Sequence, residues 1–207
     1  MVSKPIWSLP TEFTHDVCSS TDTLSFVGGA GDFDINGRIR NFGNIVAQIP
    51  GTVENLSIAL SQENCTLADA VRLKVFYTPN EICDEITLIS ALQDILPMDP
   101  SPVISTLPVP LQPFQGQEVQ IQVIAARGWR KRGDFQFASQ PLEVPGDDSS
   151  RRPLVTTSLR AGEFIAVSNR TAAHFNKKLE MSIDGPGQSH IIMPVSYTHL
   201  RAHETFA

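Results

Sequence analysis

The residues with side chains suited to chemistry are few, and most of them are polar rather than ionisable. His15 is a candidate proton carrier, because an unperturbed histidine titrates near neutral pH; a surface or hydrogen-bonded loop histidine is the alternative. Gln120 alternates with apolar residues on a predicted strand. Its amide can hold a water molecule but cannot take that water's proton near neutral pH, and a solvated strand face is the alternative interpretation.

Three hydroxyl side chains, those of Ser101, Ser105 and Thr106, form a second group of candidates for binding a polar ligand. Ordinary turn and strand chemistry would also explain them. Arg72 and Lys74 lie on one side of a predicted strand, where they either supply positive charge to a ligand or are simply solvated.

The cysteines are three in number and have no CxxC spacing. We therefore expect free thiols in a reducing compartment rather than a disulfide framework. Cys18 and Cys65 have no basic neighbour in sequence that would favour the thiolate, so we expect them to be inert. The first ten residues contain no apolar segment typical of a signal peptide. Together these features predict a cytoplasmic protein.

The composition excludes several classes of protein. The 207-residue chain is 41% hydrophobic and 18% charged, with a formal net charge of −6. An acidic chain does not favour nucleic-acid binding, which needs a concentrated positive surface. No apolar run approaches the roughly 18–20 residues of a membrane span. We expect neither a nucleic-acid partner nor a membrane.

The clearest pattern in the chain is a helix followed by a strand. Between residues 44 and 61, five apolar residues recur every three or four positions and predict a helix with one apolar face: Ile45, Ile49, Val53, Leu56 and Leu60. Gln48 and Asn55 fall on the polar side. Pro50 conflicts with a regular helix and predicts either a kink or a start near Pro50. Residues 71–77 then alternate as a strand does.

Shorter patterns complete the predicted domain. Strands are predicted at 24–27, 32–40, 103–107 and 119–126. Thr78 to Glu81 matches a capping box and predicts that a second helix begins there. Helices with one apolar face next to strands with one apolar face predict an α+β fold, a sheet with helices on one face.

The pattern of residues 128–193 predicts a linker followed by a second copy of the domain. Residues 128–152 combine basic residues with Pro, Gly, Asp and Ser, which favours a linker. From about residue 153 the pattern of a polar turn followed by an apolar strand starts again, and this self-similarity predicts a second copy of the domain over 153–193. We expect that copy to be truncated.

Several segments together resemble the Rid (YjgF) family of enamine/imine deaminases. They are residues 26–30 (FVGGA), 48–60 with the core VENL, 66–77 (TLADAVRLKVFY), Leu107-Pro108 and 119–125 (VQIQVIA). The resemblance covers about residues 5–127, and 153–193 resembles the start of a second such domain. We therefore divide the chain into a Rid-like domain at 1–127, a linker at 128–152 and a partial second domain at 153–193.

The resemblance implies a chorismate-mutase-like α+β fold and trimers with ligand clefts between subunits. Active members hydrolyse enamines or imines to keto acids and ammonia without a cofactor. Gly29 matches a glycine whose small size lets a ligand approach the backbone, and His15 falls at an aromatic position. The family's carboxylate-binding arginine would lie within residues 99–102, where this chain has none, and Gln120 replaces an acidic residue.

These departures leave three functions open. The chain is a deaminase with altered specificity, a non-catalytic module that binds a small metabolite, or a structural half of a pseudo-symmetric assembly. The expected partners are a small-molecule metabolite and further copies of the domain, in a homo-oligomer or pseudo-trimer, and no cofactor is expected.

The last residues are best explained by their origin. Residues 194–205 resemble, over all twelve positions, the translation of a transposase adapter used in sequencing libraries. We therefore expect 194–207 to be an adapter-derived extension. Read literally, His199 and His203 with Glu204 have zinc-ligand spacing, but the adapter explains them better, and we expect no metal site.

Overall fold

The computed structural model of this chain describes residues 17–96, 99–142 and 152–168. The chain divides into two units, Met1–Val167 and Ser168–Ala207, and of the second only Ser168 is among the described residues. The adapter-like tail and most of the predicted second copy therefore lie outside the described residues. His15, near the N-terminus, lies outside them as well. The strands are β1 Cys18–Ser20, β2 Leu24–Ala30, β3 Ala70–Tyr77, β4 Val103–Pro108, β5 Val119–Ala126, β6 Phe135–Pro141, β7 Leu154–Ala161 and β8 Phe164–Val167. The helices are α1 Ile45–Gln62, α2 Glu85–Ile95 and α3 Trp129–Arg132.

Five strands form the main sheet in the order β1-β2-β5-β3-β4. Only β3 and β4 run parallel, and the other neighbours are antiparallel. Alternate residues of β3 and β5 are buried in one core together with the apolar sides of α1 and α2. The predicted α+β architecture, a sheet with helices on one face, is confirmed.

Helix α1 has the predicted apolar face, and all five of its periodic residues are buried. Its N-cap is Asn44, whose side-chain oxygen accepts a hydrogen bond from Ala47 N at 3.1 Å. The helix continues through Pro50, so a start near Pro50 is wrong. Because proline has no N–H, the turn around it lacks one backbone hydrogen bond.

Two residues predicted on the polar side of α1, Gln48 and Asn55, are also buried, contrary to the sequence prediction. Gln48 is fully buried: its Nε2 donates to Asn41 O and Gly116 O, both at 2.7 Å, and its Oε1 accepts from Glu118 N at 2.8 Å. Asn55 Nδ2 donates to two carbonyls of the loop after β2. Loop backbone, rather than water, satisfies these amides.

A salt bridge within the same loop is also bound to the helix. Arg40 Nε donates to the buried carboxylate of Asp32 at 2.7 Å, and Arg40 Nη2 donates to Gly51 O at 2.9 Å. A Cβ on Gly51 would lie only 1.9 Å from Asp32 Oδ1. This helical position is therefore suited to glycine, because the salt bridge occupies the space that a side chain would need.

Two predicted elements differ in the structure. Residues 32–40 form a turn closed by a single bridge between Phe33 and Ile39 rather than a strand, because α1 side chains bind its backbone. Helix α2 begins at Glu85, and its N-cap is Asp84, whose carboxylate accepts from Thr87 N at 2.8 Å. The predicted start at residues 78–81 is wrong because a bridge between Asn80 and Cys83 closes a turn there.

Residues 129–141 are ordered, so the linker prediction is wrong for this part of 128–152. Strand β6 pairs antiparallel with β7, and β7 pairs with β8. Trp129 of α3 is fully buried in a second apolar cluster, which joins this three-stranded sheet to one end of the main sheet. Burial of a large indole gives this segment a hydrophobic reason to fold.

We expect Gly51→Ala to lower the free energy of unfolding by about 1–3 kcal/mol, because the new methyl group collides with the Asp32–Arg40 salt bridge. The same change at an ordinary helix position would raise stability by about 0.5–1 kcal/mol. Urea unfolding followed by circular dichroism measures the difference.

Gly28→Ala is the matched control, because a Cβ there meets nothing closer than 3.7 Å. We expect it to change stability by less than about 0.5 kcal/mol. A Gly51→Ala protein as stable as the parent would contradict the packing explanation for this glycine.

Candidate functional site

The candidate site lies on the face of the main sheet turned away from α1 and α2, here called the open face. It follows from strand alternation, since the residues between the buried core positions of β2 to β5 point the other way. Its members from β1 to β5 are Ser19, Phe26, Gly28, Arg72, Lys74, Phe76, Val103, Ser105, Leu107, Gln120, Gln122 and Ile124. At one end the second sheet covers this face, and Val103 is buried there.

Gly29 and Gln120, two of the predicted cleft residues, are in contact. A Cβ built on Gly29 would meet three atoms of the Gln120 side chain, the nearest being Nε2 at 2.0 Å. The contact forms where the register between β2 and β5 shifts, between Val27 and Ala30. An irregularity of this kind redirects the side chains next to it. The amide of Gln120 thus occupies the space that the glycine leaves above the backbone.

A shallow groove of about 380 Å³ runs along β1, β2 and β5 next to this contact. Its open-face lining combines two apolar side chains, Phe26 and Ile124, with the polar groups of Ser19 and Gln122. The exposed backbone of Gly28 forms part of its wall. An apolar surface with a few polar groups is typical of small-molecule sites.

Lys74 lies beside the groove, because it pairs with Gln122 on one side and with Ser105 on the other. Its Nζ lies 4.9 Å from the centroid of the Phe76 ring, a cation–π distance. Ser105 is 1% exposed, and its Oγ has no hydrogen-bond partner. Gln122, Lys74 and Ser105 therefore form one polar row across three strands.

The structure separates the other two predicted hydroxyl groups from this row. Thr106 points toward the helices, where its hydroxyl donates to Glu85 in the first turn of α2. Ser101 Oγ lies 2.9 Å from Thr156 Oγ1 of β7 and joins the two sheets. Of the three hydroxyl candidates, Ser105 alone lies on the open face.

Arg130 lies against the loop where the resemblance implies an arginine, and no sequence pattern predicts this position. Its guanidinium donates to Ala68 O at 2.7 Å, Asp99 O at 3.1 Å and Pro100 O at 2.6 Å. It also stacks on Trp129, with Cζ 4.2 Å from the ring centroid. Burial lowers the pKa of Arg130. The cation is thus bound to backbone, and it comes from the segment predicted as a linker.

The cysteines are buried, free thiols. Burial raises the pKa of Cys18 to about 11, and nearby Glu63 adds to this effect. Burial likewise raises the pKa of Cys83. The Sγ of Cys65 lies 3.2 Å from Ser25 Oγ on the helix side of the sheet. None of these thiols faces the groove.

No protein-family model matches the chain, and no curated protein does. Solved structures match its first part. RidA from the Antarctic bacterium Psychrobacter sp. PAMC 21119 has 18% sequence identity, covers 60% of this chain and 97% of its own, and gives a TM-score of 0.50. A putative endoribonuclease from Thermotoga maritima has 21% identity over 61% of this chain and 95% of its own, with a TM-score of 0.52. The chain has the RidA fold.

A third structure with the RidA fold is E. coli TdcF with bound serine, at 16% identity over 61% of this chain and 98% of its own, with a TM-score of 0.51. At such identities the likeness concerns the fold, and the residues of each site must be judged individually. Among the described residues no helix is long and apolar enough to span a membrane. The same residues contain no cluster of His, Cys, Asp or Glu suited to a metal ion.

The contact between Gly29 and Gln120 predicts energetic coupling. Gly29→Ala should cost stability in the parent protein, because the Gln120 side chain must leave its position. In a Gln120→Ala background the same change should be close to neutral. A double-mutant cycle by urea unfolding should give a coupling energy on the order of 0.5–3 kcal/mol, and additive effects would contradict the contact.

The raised pKa of Cys18 predicts low reactivity. At pH 8 the folded protein should leave Cys18 unlabelled by iodoacetamide, because only the thiolate attacks and the buried thiol keeps its proton. In urea the same residue should be labelled readily, as peptide mapping by mass spectrometry would report. The shift has a stability consequence of definite sign: stability should fall as pH rises from about 9 toward 11, because the unfolded thiol ionises first.

Proposed function

We propose that this chain is a Rid-family protein that binds a small metabolite in the groove of the open face and does not hydrolyse imines. One observation carries the proposal. Along strands β1 to β5, the open face offers amides, hydroxyls and two cations, but no carboxylate, histidine or thiol. Imine hydrolysis needs a group that accepts and returns a proton near neutral pH. The described face provides ligand-binding groups without such a carrier.

The position of Gln120 supports this proposal. The resemblance implies an acidic side chain there, above a glycine that gives access to the backbone. Gln120 instead sets a neutral amide over Gly29. An amide offers both a donor and an acceptor, so it is suited to hold a polar ligand group or a water molecule in a fixed orientation.

The contacts of Arg130 also support the non-catalytic proposal. A guanidinium reaches the loop where the resemblance implies a substrate-binding arginine, but it donates to three backbone carbonyls and stacks on Trp129. A cation used in this way stabilises the packing of α3 on the loop. It therefore does not replace the implied arginine.

The size and lining of the groove favour a compact ligand with an apolar part and polar ends. Phe26 and Ile124 would contact the apolar part, and Ser19 and Gln122 would bind the polar ends. TdcF, which has the same fold, is known with bound serine. We extend that class, small amino-acid-like metabolites, to this chain. Assembly into a homo-oligomer or pseudo-trimer in the cytoplasm, with no cofactor, remains part of the proposal.

Imine hydrolysis with altered specificity is the second candidate, supported by the fold and by the ability of Gln120 to hold a water molecule. The rate of ammonia release from an imine distinguishes the two functions. A freshly generated imine of an amino acid, added to the full chain, should release ammonia no faster than in buffer. Release well above the buffer rate would overturn the non-catalytic proposal and support hydrolysis.

Binding itself is tested by thermal shift against small amino acids and keto acids. A ligand at 100 times its dissociation constant should stabilise the fold by about 2.7 kcal/mol, a readily measured rise in Tm. Gly28→Leu should abolish that rise, because the exposed Gly28 lines the groove and a leucine would fill it. Gln62→Leu, an exposed change at the end of α1, is the control and should leave the rise intact. Equal responses from both variants would place the ligand elsewhere.

A further inference from the structure

We infer that Arg72, Lys74 and Ser105 form a binding site for an oxoanion, the carboxylate or phosphate group of a small molecule. The site lies on strands β3 and β4, beyond the groove. The inference deepens the proposed function and rests on it for the rest of the ligand, which would occupy the groove. Anion binding by these three residues is a separate property with its own test.

Arg72 differs from Arg40 and Arg130 in what its guanidinium binds. Arg40 is paired with two carboxylates, Asp32 and Glu54, and Arg130 with three carbonyls. Arg72 Nε, in contrast, is buried without a hydrogen-bond partner. A buried charged donor that lacks a partner is strongly unfavourable. An anionic ligand would satisfy it.

Ser105 adds a second unpartnered donor on the same face. The residue is 1% exposed, and its Oγ is buried without a hydrogen-bond partner. Serine hydroxyls in such surroundings normally bind a backbone carbonyl or another side chain. Six buried side-chain atoms of the described residues have no hydrogen-bond partner, and Arg72 Nε and Ser105 Oγ are the two that lie on the neighbouring strands β3 and β4.

The strand register brings the three side chains together. Lys74 is directly opposite Ser105 on the neighbouring parallel strand, at a spacing of about 4.8 Å. Arg72 is two residues before Lys74 and therefore on the same face, about 7 Å away along β3. An oxoanion has several acceptor oxygens, so one such group can bind a guanidinium, a hydroxyl and an ammonium at once.

The surroundings favour an anion. Arg72 pairs with Val103 and Ile124, both part of the apolar cluster under the second sheet. Electrostatic attraction is stronger in such poorly hydrated surroundings than in water. On the open face of β2 to β5 there is no carboxylate to neutralise Arg72 and Lys74. Arg72 and Lys74 therefore give this part of the open face a local positive charge, although the chain as a whole has a net charge of −6.

The site adjoins the groove through the pair Lys74–Gln122, because Gln122 lines the groove and is opposite Lys74. A ligand whose body lies along Phe26 and Ile124 would thus place its acidic group on β3 and β4. This arrangement specifies the chemical class as small organic acids or phosphate esters with a compact apolar part.

The test uses the full chain and three simple probes: sodium acetate, inorganic phosphate and sodium chloride at matched ionic strength. Isothermal titration and thermal shift should detect acetate or phosphate binding, whereas chloride should produce only the general salt effect. Arg72→Gln and Ser105→Ala should each weaken that binding by about tenfold or more. Which of the two anions binds more tightly distinguishes a carboxylate site from a phosphate site.

Arg38→Gln is the matched control, because Arg38 is an exposed arginine on the turn at residues 32–40. It should bind the probe anion as the parent does. Circular dichroism confirms that each variant is folded, and Ser105→Ala gives a second route should Arg72→Gln fail to fold. Unchanged affinity in Arg72→Gln or Ser105→Ala, or an equal response to chloride, would overturn the anion site. Loss of anion binding in these variants, in a protein that binds no amino or keto acid in its groove, would retain the anion site and reject the proposed function.

Discussion

The buried amide of Gln48 is the interaction on which the geometry of the open face depends. It joins helix α1 to two separate loops, one before the helix and one before β5, through three hydrogen bonds to backbone. A buried amide without partners costs several kcal/mol, so its three bonds must form together or the local structure must change. The start of β5, and with it the position of Gln120, is therefore fixed from the helix side of the sheet.

The salt bridge of Asp32 and Arg40 performs the same function at the end of β2. Asp32 follows β2 directly, and its carboxylate is 1% exposed and bound by Arg40 and by the Asn41 backbone and side chain. Asp32 is the buried member of this pair, so removing Arg40 would leave its charge without a cationic partner, which is destabilising. Helix α1 thus holds both chain segments that meet at Gly29 and Gln120. Both attachments lie behind the sheet, so the face in front keeps its side chains free to contact a ligand.

The sequence predicts the scaffold well and the attachments poorly, for a physical reason. Periodicity reveals apolar faces, and the apolar positions of α1, β3 and β5 are buried as predicted. A polar residue, in contrast, looks the same in sequence whether water or a loop carbonyl satisfies it. The helical pattern therefore predicts Gln48 and Asn55 on the solvent side, although both are buried. The sequence also does not indicate which strands are neighbours. The contact of Gly29 with Gln120 and the pairing of Lys74 with Ser105 therefore follow only from the strand order β2-β5-β3-β4.

The second sheet changes the character of the open face. If β6 to β8 were absent, Val103 and Ile124 beside Arg72 would be uncovered, and Arg72 Nε would be open to water. The cluster around Trp129 and Leu159 covers these apolar neighbours, so Arg72 Nε is buried. Lys74, the next open-face residue along β3, is half-buried and adjoins the groove through its partner Gln122. Both cations of β3, Arg72 and Lys74, are half-buried at the border of the part of the open face that the second sheet covers. A cation there can attract an anion from solvent and still hold it where water competes weakly, which explains why the added segment matters for binding although none of its own residues needs to touch the ligand.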